Sequence, residues 1–301
     1  MKQLLSVRIV LILLLFFLNS HINSAQERTI EEFPMAQSSL LWKIEGQGIK
    51  KGSYIFGTMH LIEKEYFIFP PKLENLVKKS DLLVMELAGM PNQLEALNLL
   101  KLKEGSFFDY FTPQQTDSIL RWAKSEMKMS EESFRATISK MKPFVLVQMA
   151  VQLHFIGKTE SYELSFEKIA RDNKMEIKGL ETIAEQMSIF DNLSKEQQSE
   201  MVMEGIRNID QTIKMTADME KLYTRQNIDS LFIMIQKEGG TISEEMSNFI
   251  DKRNENWIPK IKTLIADKKT FIAVGAGHLG GPNGVIRLLQ KEGYTLTPIE
   301  L

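Results

Sequence analysis

Two buried strand patterns, each leading through a glycine to a histidine, constrain the fold of this chain more than any other feature of its sequence. They lie far apart, at residues 54–61 (YIFGTMHL) and 271–279 (FIAVGAGHL), and both read as an apolar run, Gly, two residues, His and Leu. A histidine just past a buried strand stands on a rigid support and faces a crevice. Imidazole binds metals and transfers protons near neutral pH. The matched pair therefore favours a functional site with His60 and His278 over two ordinary strand-ending turns.

The first 25 residues match the pattern of a secretory signal peptide. Lys2 and Arg8 precede an apolar run over residues 9–18, and a polar stretch then ends at residues 23–25 (NSA). This run is shorter than the roughly 20 residues that span a bilayer, so a cleaved leader is favoured over a membrane anchor. No later segment is apolar enough to cross a membrane. The sequence thus predicts an exported protein, periplasmic or secreted, with no transmembrane segment in the mature chain.

The composition limits what such a chain can do. Its 301 residues are 43% hydrophobic and 25% charged, which is typical of a globular chain with one large core or two closely joined lobes. There is no cysteine, so a metal ion would have to be bound by His, Asp, Glu or similar ligands. A formal net charge of −2 offers no basic surface for nucleic acid.

The first part of the mature chain has a strand-rich pattern. Residues 40–45 and 53–57 alternate as a β-hairpin, and a short helix over residues 72–79 follows two prolines. Residues 81–87 (DLLVMEL) then form a buried strand with Glu86 near its end. Glu86 is either an edge carboxylate that faces water or a site residue. Its apolar neighbours favour the second interpretation.

The middle of the chain, about residues 91–267, is predicted to be a helical lobe. Residues 142–155 are apolar on nearly every side, as in a central core helix. His154 in that helix is expected to be a hydrogen-bonded core or boundary residue and not a ligand. Residues 194–237 and 243–267 are predicted to be long helices.

Two charged residues in this lobe stand out. Glu181 ends a short strand over residues 175–180, and it either complements the positive end of the following helix or belongs to a site. Arg253 lies in the centre of the apolar stripe of helix 243–267. A guanidinium buried without a partner costs several kcal/mol, so Arg253 should meet a carboxylate, a carbonyl or an anionic ligand unless it extends past the stripe edge.

The chain closes with the second histidine strand, a helix over residues 285–291 and a strand over residues 294–299, which is a βαβ-type unit. Together, these elements predict an α/β fold with a central mixed or mostly parallel sheet and a large helical insertion. The mature chain, residues 26–301, is predicted to be a single domain.

Four predicted strands end in polar residues, at His60, Glu86, Glu181 and His278. If they lie parallel in one sheet, these side chains gather at its carboxyl edge, where open α/β sheets place their sites. Two imidazoles and a carboxylate form a ligand set for a divalent ion that leaves positions open for water and substrate. We therefore expect His60, Glu86 and His278 to bind a metal, while Arg253 orients a carboxylate or holds a substrate anion.

Two other patterns lie near the histidines. Glu63, three residues after His60, is a reserve ligand. Residues 275–280 (GAGHLG) also match the dinucleotide pattern G-x-G-x-x-G, but only one helix and one strand follow, whereas a dinucleotide fold needs several more βα units. The sequence contains no G-x-S-x-G elbow, Walker loop or H-E-x-x-H helix.

These motifs resemble the TraB/GumN family, which is related to the TIKI metalloproteases, from about residue 40 to the C-terminus. The resemblance is carried by Gly-Thr-Met-His, Gly-Ala-Gly-His-Leu-Gly-Gly, Glu86, residues 179–182 (GLET) with Glu185-Gln186, and Arg253-Asn254 followed by Trp257. It implies an α/β core with a helical insertion and, by analogy with TIKI, a divalent-metal-dependent peptidase that uses two histidines and a glutamate.

The resemblance implies a peptide or protein substrate and an ion that is Mn, Co or Zn, without distinguishing among them. Related proteins are described as binding or shutting down peptide signals, so a non-catalytic peptide-binding protein that uses the same cleft is the alternative. One position departs from the family pattern. Where many members carry an Asp after the central helices, this chain has residues 161–163 (SYE), with a carboxylate one methylene longer, so the resemblance does not extend to a close role for Glu163 in the site.

Overall fold

A computed structural model describes residues 38–89, 97–237 and 243–301. The predicted leader lies outside the described residues. The strands are β1 Leu41–Glu45, β2 Ser53–Thr58, β3 Ile62–Glu63, β4 Leu82–Met85, β5 Thr159–Glu160, β6 Glu176–Gly179, β7 Thr270–Gly275 and β8 Thr295–Ile299. Six of them form one mixed, mostly parallel sheet in the order β6-β4-β7-β2-β1-β8, and β3 pairs with β5 in a separate ribbon. The predicted fold class is confirmed.

The helices connect and cover these strands. They are α1 Pro71–Lys78, α2 Pro113–Ser125, α3 Glu131–Ile138, α4 Phe144–Phe155, α5 Tyr162–Asp172, α6 Ile183–Asp191, α7 Lys195–Arg207, α8 Ile209–Thr224, α9 Ile228–Lys237, α10 Ser243–Ile265 and α11 Val285–Lys291, with 3-10 turns at Phe107–Tyr110 and Ala276–His278. Helix starts follow the local chemistry. At α2, Thr112 caps the backbone amide of Gln115 and Pro113 takes the first helical position. Among the described residues, no helix is long and apolar enough to cross a membrane.

The single long helix predicted over residues 194–237 is wrong. The chain forms α7, α8 and α9 there. Asn208 leaves the helical conformation at φ −108° and ψ 27°, and Gln226 adopts a left-handed backbone with φ 55°. Each of the three helices buries one face, so the apolar periodicity runs across both breaks and hides them.

The four strands that lead to the predicted site residues are adjacent and parallel. β2 pairs with β7, β7 with β4, and β4 with β6, each in parallel register. Thr58 lies opposite Gly275, and Met85 lies opposite Gly179, so the carboxyl ends of the strands are nearly level. β1 runs antiparallel to its neighbours β2 and β8. Residues that follow the four parallel strands must therefore emerge at one edge of the sheet.

Two clusters of buried apolar side chains stabilise the fold. One surrounds the sheet and the other lies among the helices, and helix α4 contributes to both. The first half of α4 joins the helical cluster, and Val151 and Phe155 join the sheet cluster. This confirms α4 as a central core helix.

The expectation for His154 is wrong. Its side chain is exposed in the last turn of α4, and its ring lies edge-on to Phe155 with a centroid distance of 5.0 Å. The helix reaches the surface one turn before it ends, since Gln152 and Leu153 are already only half-buried and Ile156 is exposed. His154 is thus a surface residue.

Candidate functional site

The sheet edge brings the two histidine motifs together on one carboxylate. The Nε2 atoms of His60 and His278 each lie 3.9 Å from Oε1 of Glu86, so they are separated by at most twice that distance. The backbone N–H of Gly275 donates to the same oxygen at 2.8 Å. All three side chains are buried. The structure therefore places the three expected ligands around a common point.

His60 is held from its other side by Glu163. Nδ1 of His60 lies 2.8 Å from Oε1 of Glu163, and this oxygen also accepts a hydrogen bond from Thr58 at 3.0 Å. Ser161 donates to Oε2 of Glu163 at 3.1 Å. Because a carboxylate accepts hydrogen bonds, Nδ1 of His60 carries a proton. The opposite ring nitrogen, Nε2 of His60, therefore points toward Glu86. Glu163 was not predicted to be a site residue. The one sequence signal for it is that its carboxylate stands where many members of the family carry an Asp.

The charges around His60 decide its protonation. Burial disfavours the imidazolium ion, but Glu163 and, more weakly, Glu86 outweigh it and raise the pKa of His60 to about 9. Burial likewise opposes ionisation of Glu163, and His60 reverses this effect and lowers the pKa of Glu163. Without a metal, the two side chains form a buried ion pair.

His278 is fixed as a neutral imidazole. Its Nδ1 lies 2.6 Å from Oδ1 of Asn254, whose Nδ2 donates to the carbonyl oxygen of Asn283 at 2.9 Å. This second bond orients the amide, so Nδ1 of His278 carries the proton and the lone pair of Nε2 acts as an acceptor. Burial, followed by the positive charge of Arg253, lowers the pKa of His278 to about 3. The ring also lies on Trp257 at a centroid distance of 4.4 Å.

Arg253 connects the site residues. Its Nη2 donates to Oε2 of Glu86 at 2.6 Å, its Nε lies 3.1 and 3.0 Å from the two oxygens of Glu181, and its Nη1 donates to Nε2 of His278 at 3.0 Å. The side chain is only 5% exposed. The expected burial of Arg253 against carboxylates is confirmed. Glu181 joins the same cluster and also accepts from the indole N–H of Trp257 at 3.2 Å.

Helix α6 contributes a further residue that sequence reasoning did not select. Nε2 of Gln186 donates to Oε2 of Glu86 at 3.0 Å and to Oε1 of Glu181 at 2.7 Å. Thr182 and Glu185 form a capping box at the start of α6, so the helix end is satisfied without Glu181. Of the two interpretations of Glu181, its contacts support a place in the site cluster.

Glu86 remains a carboxylate in this setting. Burial would raise its pKa, but Arg253 and both histidines outweigh burial and lower the pKa of Glu86 to about 2. The reserve ligand Glu63 lies elsewhere. It is on β3, where its backbone N–H donates to Glu220 at 2.6 Å, and no hydrogen bond or ion pair joins it to either histidine within the described ranges.

A model of the TraB/PrgY/gumN family matches residues 40–298, which covers most of the chain and both histidine motifs. The chain belongs to the TraB/PrgY/gumN family. The resemblance noted from the motif residues is thereby confirmed. No match was found among curated proteins or among solved structures.

The donor atoms at the site of this TraB/PrgY/gumN protein are of the kinds that divalent transition-metal ions prefer. The Nδ1 proton of His60 is bound by Glu163, and that of His278 is bound by Asn254. Hydrogen bonds of this kind orient the imidazoles of metal-binding histidines. Nε2 of both rings then faces the ionised Glu86. Two nitrogens and one carboxylate oxygen fit Zn, Mn or Co better than Ca or Mg.

The spacing in this TraB/PrgY/gumN site is wider than coordination needs. No group of three or more His, Cys, Asp or Glu that could hold a metal is present in the described part of the chain. Ligands around a tetrahedral ion with bonds of about 2.1 Å are about 3.4 Å apart, compared with 3.9 Å between each Nε2 and Glu86. Arg253 also uses the lone pair of His278. Coordination therefore requires each Nε2 to move closer to Glu86 and Nη1 of Arg253 to leave His278.

Proposed function

We propose that this protein is an exported, metal-dependent hydrolase that acts on peptides, with the ion held by His60, Glu86 and His278. The observation that carries this proposal is the convergence of two Nε2 atoms on one oxygen of an ionised carboxylate. Membership of the TraB/PrgY/gumN family is consistent with it. The signal-peptide pattern of residues 1–25 supports export.

A bound divalent ion would polarise the scissile carbonyl and make water a stronger nucleophile at neutral pH. The protein's own residues prepare the site for this. Glu163 and Asn254 hold the Nδ1 protons and so direct both Nε2 atoms inward. Gly275 and Gln186 each bind a different oxygen of Glu86 and keep its carboxylate in place.

In the metal-loaded site, Arg253 would be a second positive charge beside the ion. Its Nε donates to Glu181, and its Nη2 donates to Glu86. When Nη1 is released from His278, it can donate to an anionic or carbonyl oxygen of the substrate. Arg253 is therefore assigned the role of orienting substrate and Glu86.

A non-catalytic peptide-binding protein is the second candidate function. The contact between Nη1 of Arg253 and Nε2 of His278 favours it, because this contact occupies the lone pair that a metal would need. Under this alternative, the buried charges hold the sheet edge together and the adjoining cleft binds a peptide without cleaving it.

Metal analysis of the purified protein, followed by peptide cleavage with and without a chelator, separates the two functions. The hydrolase proposal predicts a bound divalent ion and cleavage that stops on chelation. Metal-free protein that binds peptides, and that gains no cleavage activity when Zn, Mn or Co is added, would establish the binding function instead.

Substitution of the histidines tests the ligand assignment. His60→Ala and His278→Ala should each lose the ion and hydrolysis, yet unfold cooperatively, because apolar packing elsewhere holds the sheet. Metal affinity should fall by more than the roughly 10–100-fold that is typical of changes around the ligands. His154→Ala is the matched control, since this exposed histidine should affect neither metal nor stability. Loss of metal in His154→Ala with retention in His278→Ala would contradict the assignment.

A further inference from the structure

A cavity beside the two histidines has a wall of a different character from the charged cluster. His60, Glu86 and His278 line one side of it, and helices α8, α9 and α10 supply the other. The side chains that face the cavity outside the charged cluster are largely apolar. They are Met59, Met219, Leu231, Ile235, Ile250 and Ala276.

The polar side chains in this wall are already engaged elsewhere. The hydroxyl of Tyr223 donates to the carbonyl oxygen of Gly57 at 2.7 Å, and the hydroxyl of Thr58 donates to Glu163. Glu86, the only acidic side chain among the described residues that line the cavity, is neutralised by Arg253. Beyond the histidines, the described wall thus offers no spare side-chain donor, and its remaining side-chain acceptors are the hydroxyl oxygens of Tyr223 and Thr58.

A wall with many apolar side chains and few available polar groups favours an apolar occupant. A charged or amide side chain in the cavity would lose its hydration and gain few hydrogen bonds in return, which is unfavourable. An apolar side chain would gain in proportion to the area it removes from water. The two methionines in the wall can adjust their shape to the occupant, because the thioether chain is flexible and polarisable.

We propose that this cavity is the side-chain subsite for the peptide substrate and that it selects an apolar side chain next to the reacting bond. The inference rests on the proposed function, since it takes the histidine cluster as the reacting centre. Ile235 is the wall residue whose change tests the subsite most directly. It is half-buried, and its Cδ1 lies 2.6 Å from where a Cβ on Gly277 would stand, so it packs directly on the second histidine motif.

Binding of small probes tests the subsite without requiring hydrolysis. Saturation-transfer NMR with N-acetyl-leucinamide, N-acetyl-methioninamide, N-acetyl-aspartic acid amide and N-acetyl-lysinamide should show the first two binding at least about tenfold more tightly than the charged pair. Equal binding of the aspartic acid or lysine probe would overturn the proposal.

Changes at Ile235 locate the binding in the cavity. Ile235→Ala should enlarge the subsite and raise the affinity for N-acetyl-phenylalaninamide relative to the leucine probe by about tenfold, whereas Ile235→Phe should weaken binding of the leucine probe by a similar factor. Ile233→Ala is the control, because Ile233 is half-buried on the same helix but does not line the cavity. Cooperatively folded Ile235 variants with an unchanged leucine-to-phenylalanine ratio would place the binding elsewhere and refute the subsite.

Hydrolysis by metal-loaded protein separates failure of this inference from failure of the proposed function. A peptide series that differs at one position should be cleaved in the order of the probe affinities. If no peptide is cleaved but the probe preference holds, the hydrolase proposal fails and the apolar subsite stands as a binding site. If peptides are cleaved regardless of that side chain, hydrolysis stands and the subsite is refuted.

Discussion

His60 and His278 are buried at the same sheet edge, yet their neighbours move their pKa values in opposite directions. Burial disfavours the charged form of both rings. For His60, Glu163 reverses the effect and raises the pKa to about 9, whereas for His278, Arg253 adds to it and lowers the pKa to about 3. In metal-free protein near pH 7, His60 is therefore charged and His278 is neutral.

We expect the free energy of unfolding of the metal-free protein to be highest between about pH 4.5 and 6.5. As the pH rises from 6.5 to about 9, folded His60 keeps a proton that the unfolded chain loses, so stability falls by up to about 1.4 kcal/mol per pH unit. Between pH 4.5 and 6.5 two groups oppose each other, because His278 is protonated only in the unfolded chain, whereas Glu220, whose pKa burial raises to about 7, is protonated only in the folded protein. Below pH 4.5 the effect of His278 is no longer offset, so stability falls again in urea unfolding of chelator-treated protein.

Single substitutions assign the two limbs of this profile. His60→Gln should flatten the alkaline limb. His278→Gln should make stability fall as the pH rises from 4.5 to 6.5, because Glu220 then acts unopposed. Glu86 contributes only below 4.5, where protonation toward its pKa of about 2 removes a further stabilising term. An alkaline limb that is unchanged in His60→Gln would show that His60 does not carry the raised pKa.

Asn254 is predicted to act on metal binding by holding the Nδ1 proton of His278. Asn254→Leu removes this acceptor and leaves a buried N–H without a partner, although Nη1 of Arg253 still donates to Nε2 in metal-free protein. Metal affinity in titration calorimetry should fall by roughly 10–100-fold, because the imidazole is no longer oriented from its outer side. Asn192→Leu, at the exposed C-terminal end of α6, should leave metal affinity unchanged. Equal metal affinity in Asn254→Leu and the unchanged protein would contradict the role.

At the scale of elements, the glycine of the first motif has a packing explanation. A Cβ at Gly57 would lie 2.9 Å from Cδ1 of Leu279 and 3.0 Å from Cα of Ala276. Strand β2 therefore lies directly against the 3-10 turn that carries His278. The two histidine motifs are in contact, and the first glycine makes that contact possible.

Gly57→Ala should lower the free energy of unfolding by about 1–3 kcal/mol, because the added methyl group overfills the junction of the two motifs. Urea unfolding measures this loss. Gly52→Ala is the matched control in the same hairpin, since its Cβ would first meet the flexible end of Lys43 at 3.0 Å. Equal losses in the two variants would mean that the close packing at Gly57 has no energetic weight.

At the scale of the whole molecule, Arg253 ties a helix of the middle region to the sheet. It extends from α10 to Glu86 after β4, to Glu181 after β6 and to His278 after β7. One guanidinium thus joins three strand ends that are distant in sequence. The same contacts place a positive charge where a metal ion would otherwise compensate the carboxylates.

Arg253→Met should destabilise the metal-free protein by about 3–5 kcal/mol, because two buried carboxylates lose their partner. The same variant should bind a divalent ion more tightly, since the lone pair of His278 is released and a competing cation is removed. Urea unfolding and metal-binding calorimetry measure the two effects. Arg135→Met, which breaks an exposed pair with Glu131, should cost no more than about 1 kcal/mol. Weaker metal binding in Arg253→Met would show that Arg253 supports the ion site.

The sequence by itself determined which strands would carry the site and that they belong to an α/β fold. Runs of apolar residues that lead to His60, Glu86 and His278 identify strands, because a buried strand excludes polar side chains until it reaches an edge. The position of Arg253 on its helix predicted burial for a similar reason, since the periodicity of a helix shows which face is apolar.

Only the tertiary structure decided which of these residues touch. The bond between Glu163 and His60 and the bridge that Gln186 makes to Glu86 depend on segments far apart in the chain. The exposure of His154 depends on where α4 leaves the core. Local patterns report the environment of a side chain as apolar or polar, whereas its partners follow from strand order and helix placement, which are set by packing of the whole chain.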